Sequence, residues 1–262
     1  MADLEKKGAP AGAEAPADGK MTDELQEKLK SLDKESNTME YGGICGKIVA
    51  AICICFSLFQ IYTGIFGTLD AMIQRCVHLS FGICLVFLLC PTKKSWVKGG
   101  RFHPLDLLLT VLAVIPPLYI LVNYQQLILR AGTVTPTDAV VGLLGIVMVR
   151  EAARRIVGLP IVIVVLCFLA YGFLGPYMPG PLAHRGLTIN QMVGHLFFTT
   201  EGVFGIPLGV SSTFIFLFIL FGAYLEKTGL GKFFIDIANA LAGWASGGPA
   251  KVAVFSSGLQ GT

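Results

Sequence analysis

The sequence predicts an all-α integral membrane protein: about six transmembrane helices, interfacial amphipathic helices and one arm of a re-entrant hairpin. Three observations predict it. Over 262 residues, 54% are hydrophobic and only 14% charged, far from the balance of an ordinary soluble chain. Charge-free apolar runs recur along the chain. The clearest, Pro207 to Leu225, holds 19 residues without a charge, enough to cross ~30 Å of hydrocarbon at ~1.5 Å per residue. Lysine and arginine, finally, gather in alternate connections, as multi-pass membrane chains require.

Residues 1–40 are rich in Ala, Gly, Pro and charge, with no apolar core of a signal peptide. They bury too little to fold and read as a mostly disordered tail. Thr22 is placed to cap a short helix with Asp23 and Glu24 in its first turn. The spans follow at about Ile44–Phe66, Asp70–Cys90, Pro104–Asn123, Pro136–Arg155, Ile156–Tyr177 and Pro207–Leu225. In the fourth, Thr135 offers an N-cap, Pro136 occupies the first turn, and Asp138 follows. Its uncharged core is only about 11 residues before Arg150. Pro116 and Pro117 remove backbone donors inside the third span and predict a bend there.

Two amphipathic helices are expected between and after the spans. Ile189, Met192, Val193, Leu196 and Phe197 fall at i, i+3, i+4, i+7 and i+8 behind a Thr188 cap. Phe233, Phe234, Ile237, Ala238 and Leu241 repeat that stripe, leading by way of Trp244 to a Gly247-Gly248-Pro249 break. Pro249 to Thr262 is only 14 residues, roughly 21 Å as a helix. Too short to cross, and ending in small and polar residues, it reads as one arm of a re-entrant hairpin. Irregular backbone at membrane depth survives where protein or a hydrated cavity covers it, and transport sites use this device.

Orientation follows from the basic residues. One set of connections carries Lys93, Lys94, Lys98, Arg101, Arg150, Arg154, Arg155, Lys227 and Lys232. The alternating set carries only Arg75, Arg130 and Arg185. Nine against three puts the first set, and the N-terminal tail, in the cytoplasm of a cell with a multi-pass inner membrane protein.

Chemistry is sparse. There is no Walker loop, no GxSxG and no HExxH, so the chain reads as no enzyme, with no tightly bound cofactor and no nucleic-acid partner. The seven cysteines lie in or beside apolar segments and read as packing residues. His78 sits inside a span, with a hydrogen bond between helices as the plain reading. Glu151 and Arg155 form an i, i+4 pair at one end of span four. The sharpest candidate is the hairpin arm. Gly258 and Gly261 permit tight backbone turns, and Ser256, Ser257, Gln260 and Thr262 carry oxygens. Sodium wants several oxygen ligands, which broken helices supply in secondary transporters. Helix packing by small residues is the alternative for the same positions.

The run from TTEGVFGIPLGVSSTFIFLFILFGAYLEKTG to GGPAKVAVFSSGLQGT resembles the large membrane subunit of tripartite ATP-independent periplasmic (TRAP) transporters. Upstream, TPTDAVVGLLGIVMVREAARR and GPYMPGPLAHRG resemble the fused permeases of that family that pair with TAXI-type binding proteins. The resemblance covers residues 135–262 well and 41–134 loosely. It implies a four-helix unit like the small subunit over 41–155, and the start of the large subunit over 156–262. It also implies a cation-coupled secondary importer, with sodium as coupling ion. An extracytoplasmic TAXI-type binding protein would deliver a small organic anion from outside the lipid bilayer. Ser256, Ser257, Gly258, Gly261 and Thr262 are then candidate sodium-site residues. The family's first hairpin continues beyond this point, so the chain reads as the N-terminal part of a longer permease. A membrane redox anchor using His78 and buried cysteines, or a purely structural membrane subunit, are the competing readings.

Overall fold

The computed structural model describes residues 41–92, 102–130, 132–244 and 247–261. The expected tail over 1–40, the basic residues Lys93, Lys94, Lys98 and Arg101, and Thr262 lie outside them. Every regular element among the described residues is helical. Among the described residues, five helices are long and apolar enough to cross a membrane: Gly43–Phe66 (α1), Ala71–Leu89 (α2), Pro104–Leu129 (α3), the fifth expected span with its short 3₁₀ turn, Leu159–Tyr177 (α5), and Ile206–Thr228 (α7). Each coincides with an expected span.

The expected fourth span forms a helix, Pro136–Ile156 (α4), but is not one of those five. Its 21 residues have the length; charges at both ends cut its apolar stretch short. It is instead packed tightly. Gly142 and Gly145 lie so close to Val193, Phe197 and Phe198 that a Cβ would collide with those side chains. The start is set as expected: Thr135 Oγ1 accepts from the Asp138 backbone amide while Asp138 accepts from Thr135, a capping box behind Pro136.

The short helix Ile189–Phe197 (α6) has the same device, with Thr188 and Gln191. Its apolar stripe faces α4, burying Met192, Val193 and Phe197. Beyond α7, Gly229 takes a left-handed conformation at φ 78° and turns the chain into Leu230–Ala242 (α8). Helix α8 packs on Gly248–Gly261 (α9) through Ala238, Ala242 and Val252. The expected stripe on α8 is therefore displaced. Its packed edge runs through Ala238 and Ala242, while Phe233 and Leu241 are exposed.

Two apolar clusters hold the bundle. One joins Met72, Cys76, Ile120, Phe197 and Phe204. The other joins Ile83, Phe87, Ala113, Met148 and Ala152. Ile54, Leu58, Phe168, Phe218 and Phe221 remain exposed, as expected of helix faces turned to lipid. The bend expected at Pro116 and Pro117 is not where the backbone breaks. Both prolines are buried in continuous helix, and the non-helical residue of α3 is Asn123, at φ −100° and ψ 15°. Its side chain donates to the Tyr119 carbonyl, and a side chain inserted into the backbone ladder is a recognised cause of a kink.

Candidate functional site

The sequence-predicted site lies on α9. Ser256 is buried, at 8% exposure, while Ser257 and Gly258 are exposed. The expected turn at Gly258 is absent: the helix runs through it to Gly261, its last residue. A Cβ on Gly258 would meet nothing within 4 Å, so that glycine is not there for close packing. The structure thus aligns Ser256, Ser257, Gly258 and Gly261 along one continuous helix.

Three polar groupings gather residues that the sequence shows only singly or in local pairs. At the C-terminal end of α4, Arg155 is only 2% exposed. Its Nη1 donates to Asp106 Oδ1 at 3.0 Å and to the Cys90 carbonyl at 2.8 Å. Its Nη2 donates to Thr92 Oγ1 at 2.8 Å and its Nε to Glu151 at 3.2 Å. The guanidinium also lies 4.4 Å from the Phe87 ring centroid. One planar cation thereby ties the ends of α2, α3 and α4, with the multiple fixed donors that suit arginine to this role.

At the other end of α4, Asp138 is 1% exposed. It accepts from Tyr119 Oη at 2.6 Å, Arg130 Nη2 at 3.0 Å, and both Thr135 groups. Helix α4 is thus pinned to α3 at both ends by a buried charge with its partner. Beside this second pin, a cavity of about 850 Å³ has Met72, Ile120 and Leu127 on its apolar side and Asn190, Gln191 and His195 among its polar lining. Its size suits a small molecule.

The third grouping joins the four-helix unit α1–α4 to α7. Residues Ser211–Ile215 of α7 form a π-turn, a one-residue widening that recurs at functional positions in helices. Gln74 Nε2 donates to the Ser212 carbonyl at 2.9 Å and to Thr63 Oγ1 at 3.2 Å. His78 lies between Gln60, at its Nδ1, and Ser211 Oγ, 3.2 Å from its Nε2. Gln60, Thr63, Gln74 and Ser212 are all at most 3% exposed. Arg75 donates to the Phe204 carbonyl, and Gly209 lies against its guanidinium, leaving no room for a Cβ.

His78 is the interhelical hydrogen-bonding residue that the plain reading expects. Both ring nitrogens are engaged within the protein, by Gln60 and Ser211. Among the described residues, no three His, Cys, Asp or Glu side chains gather in a way that could hold a metal ion.

Residues 144–262 match the family model described as "Tripartite ATP-independent periplasmic transporter, DctM component". The match starts inside α4 and takes in α5 to α9. No curated protein and no solved structure matches the chain.

Proposed function

We propose that this chain, a TRAP transporter permease component by its residues 144–262, works in a cation-coupled secondary importer of small organic anions. The coupling ion is sodium, and a TAXI-type binding protein brings the substrate to the outer face. Residues 41–155 serve as the small-subunit-like unit and 156–262 as the beginning of the large one. The N-terminal tail is cytoplasmic and the membrane is the inner one.

The family match carries this reading. Two structural features support it. The four-helix unit and α7 are joined by dedicated polar contacts, as expected where two functional units share one chain. The α8–α9 pair is held by three small apolar residues, Ala238, Ala242 and Val252, and presents Ser257 and Gly258 on an exposed helix face. Neutral oxygens and a backbone open to close approach suit a weakly held alkali cation better than a divalent one, which takes carboxylates.

The test is uptake of a labelled organic acid by proteoliposomes that contain the permease carrying this chain, with a TAXI-type binding protein outside. Uptake should need both the binding protein and an inward sodium gradient. Equal uptake with choline in place of sodium, or without any binding protein, contradicts the proposal.

A further inference from the structure

The contacts around His78 form a hydrogen-bond chain whose direction can be read from its ends. Gln74 is the starting point. The Leu69 backbone amide, which can only donate, lies 3.4 Å from Gln74 Oε1. The Ser212 carbonyl, which can only accept, lies 2.9 Å from Gln74 Nε2. These two backbone groups fix which way the Gln74 amide points. Its two N–H groups are shared among the Ser212 carbonyl, Thr63 Oγ1 at 3.2 Å and Gln60 Oε1 at 3.5 Å, and the Thr63 hydroxyl lies 3.5 Å from the same Oε1. With donors on that side, the Gln60 oxygen faces them and its Nε2 turns towards His78 Nδ1. A ring nitrogen that accepts carries no proton, so the single imidazole proton sits on Nε2 and is donated to Ser211 Oγ at 3.2 Å.

We propose that Gln74 is the positioning residue of this joint: it sets the direction of a hydrogen-bond chain that holds His78 as the neutral Nε2–H tautomer and so seats the Ser211–Ile215 π-turn against the four-helix unit. The proposal rests on the family reading only in treating α7 as a transporter helix. A cationic His78 would set Nδ1–H against the Gln60 N–H groups. The groups that face the ring offer that charge no counterion. From α1 they are Gln60 and Phe56; from α7, Ser211 and Phe216. On α2 itself, Arg75 is committed to the Phe204 carbonyl. Gly64 gives the joint its closeness, since a Cβ there would come within 2.9 Å of Leu217 Cδ1 on α7.

The experiment uses the whole chain in lipid nanodiscs with ¹⁵N-labelled histidine, the His78 signal being the one that His78→Gln removes. At neutral pH the ring should show a protonated Nε2 and a bare Nδ1. Gln74→Glu, an acceptor of nearly the same shape, should reverse the chain: Gln60 turns its amide towards residue 74, its oxygen faces the ring, and Nδ1 gains a proton. The His184 signal, which reports a separate contact with the Tyr171 carbonyl, should stay in place and marks a folded variant. A protonated Nδ1 in the unaltered protein overturns the proposal, and so does a bare Nδ1 in a folded Gln74→Glu variant. A second measurement follows the seating itself. Cysteines at Gly64 and Leu217, in a background without other cysteines, should cross-link readily, and Gln74→Leu should slow this roughly tenfold, the equivalent of one buried hydrogen bond. An unchanged rate, with the unaltered protein serving as reference, overturns the seating role even if the tautomer is as expected.

Discussion

Arg155 shows how much a single side chain carries here. From the sequence it is one half of an i, i+4 pair with Glu151, worth a few tenths of a kcal/mol if exposed. In the structure it is buried against Asp106, Thr92 and the Cys90 carbonyl. Arg155→Met should therefore destabilise the protein by about 3–5 kcal/mol, because Asp106 is left buried without its cation. Pairing it with Asp106→Asn should recover part of that loss. Arg155→Lys should rescue poorly, since an ammonium cannot reach these acceptors in one plane. Arg154, half-exposed in its pair with Glu151, should cost less than about 1 kcal/mol when replaced by alanine. Unfolding in micelles, followed by circular dichroism, ranks the four. Equal losses for Arg154 and Arg155 would show that burial is not what matters.

Two glycines make a similar contrast. A Cβ on Gly145 would collide with the Phe197 ring, whereas one on Gly82 meets nothing within 4 Å. Gly145→Ala should cost about 1–3 kcal/mol through overpacking. Gly82→Ala, inside α2, should gain about 0.5–1 kcal/mol from the lower backbone entropy of the unfolded chain. The same unfolding measurement checks both, and a stabilising Gly145→Ala would refute the tight α4–α6 contact.

At the level of elements, the helices were legible because their starts are written locally. Thr135-Pro136 and Thr188 with Gln191 are capping sequences, and both cap as expected. Long apolar runs set the spans to within a few residues. What was not legible depends on distant partners. The Pro116-Pro117 pair stays within helix, buried by its surroundings, and the non-helical residue is Asn123, through a side-chain contact. The π-turn at Ser211–Ile215 has no local signature either. It accompanies contacts from Gln74 and His78, more than 130 positions away in sequence.

The arm α9 yields a prediction of its own. In the sodium-site reading, Gly261→Val obstructs backbone approach, whereas Ser257→Ala removes at most one oxygen ligand. The valine variant should therefore raise the sodium concentration for half-maximal uptake more than the alanine variant does, at similar membrane abundance. A packing role for these residues gives lower abundance with unchanged sodium dependence. Ser256 is buried and Ser257 exposed, and that difference could not be read from a stretch of small residues alone. Gly258 permits a turn without requiring one, and the helix runs through it.

On the scale of the whole molecule, the basic residues and the family match make one account. The match begins inside α4, the helix pinned to α3 at both ends, so the two units share a tightly held element rather than a loose linker. The account needs the α3–α4 connection outside and the α7–α8 connection inside, with Arg130 standing alone on one side and Lys227 and Lys232 together on the other. Single cysteines at Thr133 and Thr228, both exposed, report the two sides in a background without other cysteines. An impermeant thiol reagent added to spheroplasts should label Thr133→Cys, and should label Thr228→Cys only after the membrane is opened. Labelling of Thr228→Cys from outside, with Thr133→Cys protected, would invert the protein and turn the face proposed to meet the binding protein towards the cytoplasm.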